Sequence, residues 1–119
     1  MVGGMKGTFV ANGNHISKAN ILTQFGVKEN DLEQLCRKHG VKSLAVFGSV
    51  THNEFKSGKS DIDFLVEFDS VSVDKFFDLV DGLKKLFHYE NVDLVTVASL
   101  KNNVIRNEIL SSRENIYAA

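Results

Sequence analysis

The stretch DIDFLVEF, residues 61–68, alternates polar and apolar side chains with a period of two. A half-buried strand has that period, whereas a helix would scatter the same residues around its circumference. Ile62, Phe64, Val66 and Phe68 fall on one face, and Asp61, Asp63, Leu65 and Glu67 on the other. The next segment, SVDKFFDLVDGLKKLF (72–87), sets Phe76, Phe77, Val80, Leu83 and Phe87 at helical spacing, with Asp74, Asp78, Asp81, Lys84 and Lys85 outside. NVDLVTV (91–97) is again a strand. A strand, a helix and a strand of these lengths make a parallel crossover, so this unit dictates the sheet on which the rest of the chain packs.

Before it, KSLAVFG (42–48) is a short apolar run that ends in glycine and reads as a buried strand. ENDLEQLCRKHG predicts a helix with Asn30 as N-cap and Glu33 completing a capping box. Lys38 and His39 suit its C-terminal end, and Gly40 its left-handed stop. SKANILTQFG (17–26) predicts a short helix, LKNNVIRNEILSS (100–112) an amphipathic one, and ENIYA a final strand. Gly82 within the 72–87 helix costs about 1 kcal/mol against alanine. The first fifteen residues, rich in Gly and Asn, read as a flexible arm. The expected organisation is an arm or short helix over residues 1–28, then one domain over 29–119. Its fold class is α/β (α+β): a small mixed β-sheet flanked by helices.

A chain of 119 residues allows one domain and little room for a second substrate-binding lobe. A formal net charge of −1 argues against a protein that coats nucleic acid, and no direct nucleic-acid binding is expected. A nucleotide ligand needs only a local cluster of cations and is not excluded. Cys36 is the single cysteine, so no intramolecular disulfide forms, and beside Leu32 and Leu35 it reads as a small apolar core residue. No apolar run is long enough to span a bilayer and no signal-peptide core stands at the start. The expectation is a cytoplasmic protein that does not meet a membrane. His15, His39 and His88 have no zinc-ligand spacing with Cys36.

The chemistry gathers around the strand at 61–68. Side chains two apart on a strand share a face, and two carboxylates so placed repel one another unless a cation lies between them. Mg²⁺ takes oxygen ligands of this kind. An isolated D-x-D is more often a solvated strand end, but two neighbours change its meaning. If strand 42–48 lies antiparallel to 61–68, Gly48 and Ser49 meet Asp61 and Asp63 at one edge of the sheet. Glycine there lets a phosphate approach the backbone, and the serine supplies a hydroxyl and an N–H. The parallel crossover brings Asp93 to the same edge. Three carboxylates suit two Mg²⁺ ions flanking the attacking and leaving oxygens of a phosphoryl-type transfer. Asp61 and Asp63 would bind both ions, and Asp93 the ion at the nucleophile, whose proton it helps to remove. Lys56 and Lys59 in the intervening loop would neutralise phosphate charge, with Ser60 beside them, unless they are simply solvated loop residues.

The run GSVTHNEFKSGKSDIDFLVEF followed by NVDLVTVASL resembles the minimal nucleotidyltransferases of the DNA polymerase beta-like superfamily, from about Asn30 to Tyr117. The resemblance implies that Gly48 and Ser49, with Lys59 and Ser60, hold a nucleoside triphosphate, and that Asp61, Asp63 and Asp93 are catalytic and bind Mg²⁺. It implies AMP transfer from ATP to a hydroxyl. It further implies an antitoxin role towards a HEPN-domain toxin, with a partner tyrosine as acceptor and a homo- or hetero-oligomer as the assembled form. Two departures stand out: eleven residues (50–60) separate Gly-Ser from Asp61, one more than is usual, and Thr51-His52-Asn53 replaces the common Ala-Arg-Gly. Gly58 is the residue best able to absorb the extra length. The lost arginine and the longer loop favour one alternative, an antitoxin that acts by binding alone. A second, a transferase for antibiotic-type small molecules, follows from the wider superfamily, and the shortness of the chain speaks against it.

Overall fold

The structure, a computed structural model, describes residues 15–70 and 72–119. Four strands, β1 (Val41–Phe47), β2 (Ile62–Phe68), β3 (Val92–Thr96) and β4 (Glu114–Ala118), form one sheet in the order β3-β2-β1-β4. β1 runs antiparallel to β2 and to β4. β2 and β3 are parallel, as the crossover requires. Among the described residues four helices accompany them: α1 (Lys18–Gln24), α2 (Glu29–Lys38), α3 (Val73–Phe87) and α4 (Asn103–Ser112). The mixed sheet flanked by helices is therefore the observed fold class. No helix among the described residues is long and apolar enough to cross a membrane.

The core lies on one face of the sheet. Ile62, Phe64 and Val66 of β2 and Leu44 and Val46 of β1 are fully buried, as the alternation requires. They meet Leu32 and Cys36 of α2 and Leu79, Leu83 and Phe87 of α3. Phe64 and Phe87 stack edge to face with centroids 5.1 Å apart. Gly82 has a packing reason: a Cβ there would come 2.5 Å from Leu35 Cδ1, so the glycine lets α2 and α3 approach closely. Burial pushes the Cys36 thiol up to about 12, with a further push from the charge of Glu33. α1 forms within the expected span and buries Ile21 and Leu22 in the same core, so this short helix packs with the domain. The arm expected over residues 1–15 lies, His15 apart, outside the described residues.

Three local expectations are corrected. α2 begins at Glu29, its N-cap is Lys28 and no side chain caps it. Asn30 lies inside the helix, and Glu33 pairs with Arg37 one turn on at 3.4 Å. Early acidic residues, Glu29 and Asp31, compensate the positive helix end instead. Phe77 is 60% exposed, because adjacent positions cannot both face the core and Leu79 takes the central place. Last, β2 starts at Ile62, so Asp61 sits just ahead of the strand and is exposed.

Candidate active site

β1 ends in a tight turn. Phe47 pairs with Asp63 across the antiparallel ladder, and the chain then enters a 3₁₀ turn over Gly48–Thr51. Gly48 has φ 76°, a region that penalises any residue with a side chain. A Cβ at Gly48 would also collide with Oδ2 of Asp63. Two independent constraints thus require glycine where backbone and carboxylate touch. The turn is held from behind. Thr51 Oγ1 donates to the Gly48 carbonyl at 2.7 Å, His52 N–H donates to the Ser49 carbonyl at 3.1 Å, and Val50 and Thr51 are fully buried. Ile16 N–H closes on the Thr51 carbonyl at 2.8 Å.

Asp63 pairs with Asp93 across the parallel β2–β3 ladder. Ile62 N–H donates to the Asn91 carbonyl at 2.8 Å and sets the two strand starts level. Ile62 and Phe64, both fully buried, turn Asp63 to the opposite, open face. The Asp63 carboxyl is pushed up to about 6, first by burial, then by the charges of Asp93 and Asp61. This is the effect expected of carboxylates crowded without a cation. Among the described residues no three His, Cys, Asp or Glu side chains already converge closely enough to hold a metal ion. The chemistry of the donors, acidic oxygens on one edge under like-charge repulsion, is of the kind that a hard divalent ion would relieve.

Gly48, Ser49, Asp61, Asp63 and Asp93 therefore meet at one edge of the sheet. Lys59 and Ser60 stand in the loop leading into Asp61, where Lys59 is exposed. Ser60 has a structural role. Its Oγ accepts from Lys56 N–H at 2.9 Å, and its carbonyl accepts from the Tyr89 hydroxyl at 2.5 Å. Tyr89 Oη also accepts from Gly58 N–H at 2.9 Å. Gly58 takes φ 83°, a conformation that favours glycine. The Tyr89 ring packs on Phe25 and Phe55 with centroids 5.9 and 5.4 Å away. Sequence reasoning misses Tyr89. The available signal is two aromatics, Phe55 and Tyr89, outside the amphipathic stripes. His52 is half-buried, its Nδ1 is buried without a partner, and its ring lies 6.2 Å from that of His15.

A mixed four-stranded sheet with a Gly-Ser turn against a D-x-D, and a third aspartate on the parallel neighbour, is the layout of a nucleotidyltransferase. The nucleotidyltransferase domain family matches residues 29–116. The protein adenylyltransferase MntA of Thermococcus cleftensis is 36% identical over 86 residues, covering 71% of this chain and 82% of that one. A solved structure described as a minimal nucleotidyltransferase superposes with a TM-score of 0.62 at 27% identity, covering 85% of this chain and 97% of that one. A structure of a tri-AMPylated Shewanella oneidensis HEPN toxin with its MNT antitoxin shares the fold, with a TM-score of 0.53 at 20% identity and coverage of 76% and 70%. The chain belongs to the nucleotidyltransferase domain family, among its minimal, MntA-like members.

Proposed function

We propose that this enzyme is an antitoxin that transfers AMP from ATP to a tyrosine hydroxyl of a HEPN-domain toxin and so silences it. One observation carries the chemistry: Asp63 is wedged between Gly48, Asp61 and Asp93, with its carboxyl pushed up to about 6. A group in that state is built to receive positive charge. The relatives carry the acceptor class, since MntA of Thermococcus cleftensis is named a protein adenylyltransferase and the Shewanella antitoxin is held with an AMPylated HEPN toxin.

In this reading Gly48 lets the triphosphate lie against the backbone, and Ser49 offers its hydroxyl and N–H. Lys59, exposed in the loop before Asp61, balances phosphate charge. Asp61, Asp63 and Asp93 would hold Mg²⁺, which when bound supplies charge neutralisation at the phosphates and lowers the pKa of the attacking hydroxyl. The tyrosine oxygen forms a bond to the α-phosphorus, and the bond from that phosphorus to the pyrophosphate oxygen breaks. The hydroxyl proton goes to Asp93, which stands on the outer strand beside Asp63. Pyrophosphate leaves.

A second reading, neutralisation by complex formation alone, is favoured by residues 51–53. Thr51 is buried and His52 Nδ1 is buried without a partner, so this stretch brings no strong cation to the phosphates where the resemblance leads one to expect arginine. Toxin rescue separates the two. Cells that express a HEPN-domain toxin from the same source should survive with the wild type and die with Asp61→Ala plus Asp63→Ala. Equal protection by the double variant, at equal abundance, would establish binding alone.

A further inference from the structure

The face of the sheet that carries Asp63 and Asp93 continues away from them into a groove of about 310 Å³. Its floor is Ala45 of β1, Leu65 of β2 and Tyr117 of β4, and its wall is Arg106 and Leu110 of α4 with Arg113 just beyond the helix. Leu65 follows Asp63 on the same face, about 7 Å along the strand. α4 buries no residue, although it touches the Gly48–Thr51 turn. The helix therefore stands over the sheet with space left beneath it.

The charge of this groove is unspent. Among the described residues neither Arg106 nor Arg113 has a carboxylate within ion-pairing distance, while Glu67, also in the lining, lies 4.0 Å from Lys42. The groove runs out at β4, an edge strand whose outer backbone groups have no strand partner among the described residues. An apolar floor, two free guanidinium groups and an open strand edge are what an extended peptide with acidic and aromatic side chains would use.

We infer that the groove between α4 and the sheet, with Arg106 and Arg113 as its cationic wall, binds an acidic, aromatic-bearing segment of the protein substrate and leads its hydroxyl to Asp93. This rests on the proposed transfer to a protein tyrosine, and it adds the recognition that a catalytic edge without an acceptor lobe lacks. The free edge of β4, which a nucleotide would not use, favours the peptide.

The test measures binding, without ATP, of fluorescent random copolymers to the full chain. A Glu/Tyr copolymer should bind, a Lys/Tyr copolymer should not, and Arg106→Glu with Arg113→Glu should weaken Glu/Tyr binding at least about tenfold. If that variant melts early, Arg106→Gln with Arg113→Gln replaces it and should weaken binding in the same direction. Equal binding of both copolymers, or Glu/Tyr binding unchanged by the substitutions, would overturn the inference. So would loss of fluorescent ATP-analogue binding with copolymer binding intact, which would give the groove to the nucleotide. Because no transfer is measured, copolymer binding that persists in Asp61→Ala plus Asp63→Ala keeps this inference separate from the fate of the catalytic reading.

Discussion

Gly48 lies so close to the carboxylate of Asp63 that no other residue fits between the end of β1 and the start of β2. The first half of the site and the second are thus in contact before any ligand arrives. Gly48→Ala should meet both the collision and the penalty of positive φ. We expect a loss of about 1–3 kcal/mol of stability in urea melts, together with loss of fluorescent ATP-analogue binding. A variant that melts and binds like the wild type would show that the contact is not required.

Burial, Asp93 and Asp61 push the Asp63 carboxyl up to about 6 from an ordinary value of 3.8. The folded state therefore holds the proton more tightly than the unfolded chain, and ionisation of Asp63 costs stability. That cost is absent below about pH 4 and complete above about pH 6. Asp63→Asn should accordingly be more stable than the wild type at pH 8, by about 1 kcal/mol once solvent screening of this half-exposed group is discounted. The gain should vanish at pH 4. Urea melts of both proteins at the two pH values check the sign, and an equal gain at both would assign it to something other than charge.

Tyr89 fastens the loop between the two halves of the site through hydrogen bonds to Gly58 and Ser60. Tyr89→Phe keeps the packing on Phe25 and Phe55 and loses only the hydroxyl. The expected cost is about 1–2 kcal/mol, with faster proteolytic cleavage after Lys56 or Lys59. Unchanged cleavage would mean that the ring alone orders the loop.

Cys36 is fully buried and its thiol is pushed up to about 12. The thiolate is the reactive form, so the native protein at pH 8 should resist a disulfide reagent and react fully in urea. Rapid labelling of the folded protein would contradict the packing of α2 on the sheet.

Much of this is legible in the sequence because it follows from period and direction. Ile62, Phe64, Val66 and Phe68 fix which face of β2 is buried, and the crossover fixes that Asp93 joins Asp63. The rest depends on competition that no local pattern records. Asn30 is a good cap, yet α2 starts ahead of it, where Glu29 also meets Lys18 at 2.5 Å. Phe76 and Phe77 both match an apolar stripe, and tertiary packing keeps only one of them against the core. Ser60 suits a phosphate ligand on sequence grounds, and the structure adds a loop role: its hydroxyl accepts from Lys56 N–H, and its carbonyl accepts from Tyr89 beyond α3. Long-range pairs such as Ser60 and Tyr89 have no sequence signature.

Whether Asp61, Asp63 and Asp93 at one sheet edge carry nucleotidyl transfer is measured most directly by labelling. The protein is incubated with ATP labelled at the α-phosphate, Mg²⁺ and a HEPN-domain protein from the same source, and that HEPN protein is then analysed by mass spectrometry. AMP on a tyrosine is expected, abolished by Asp61→Ala plus Asp63→Ala and reduced at least about a hundredfold by Asp93→Asn. No label on the HEPN protein, or label that survives the double substitution, would contradict it.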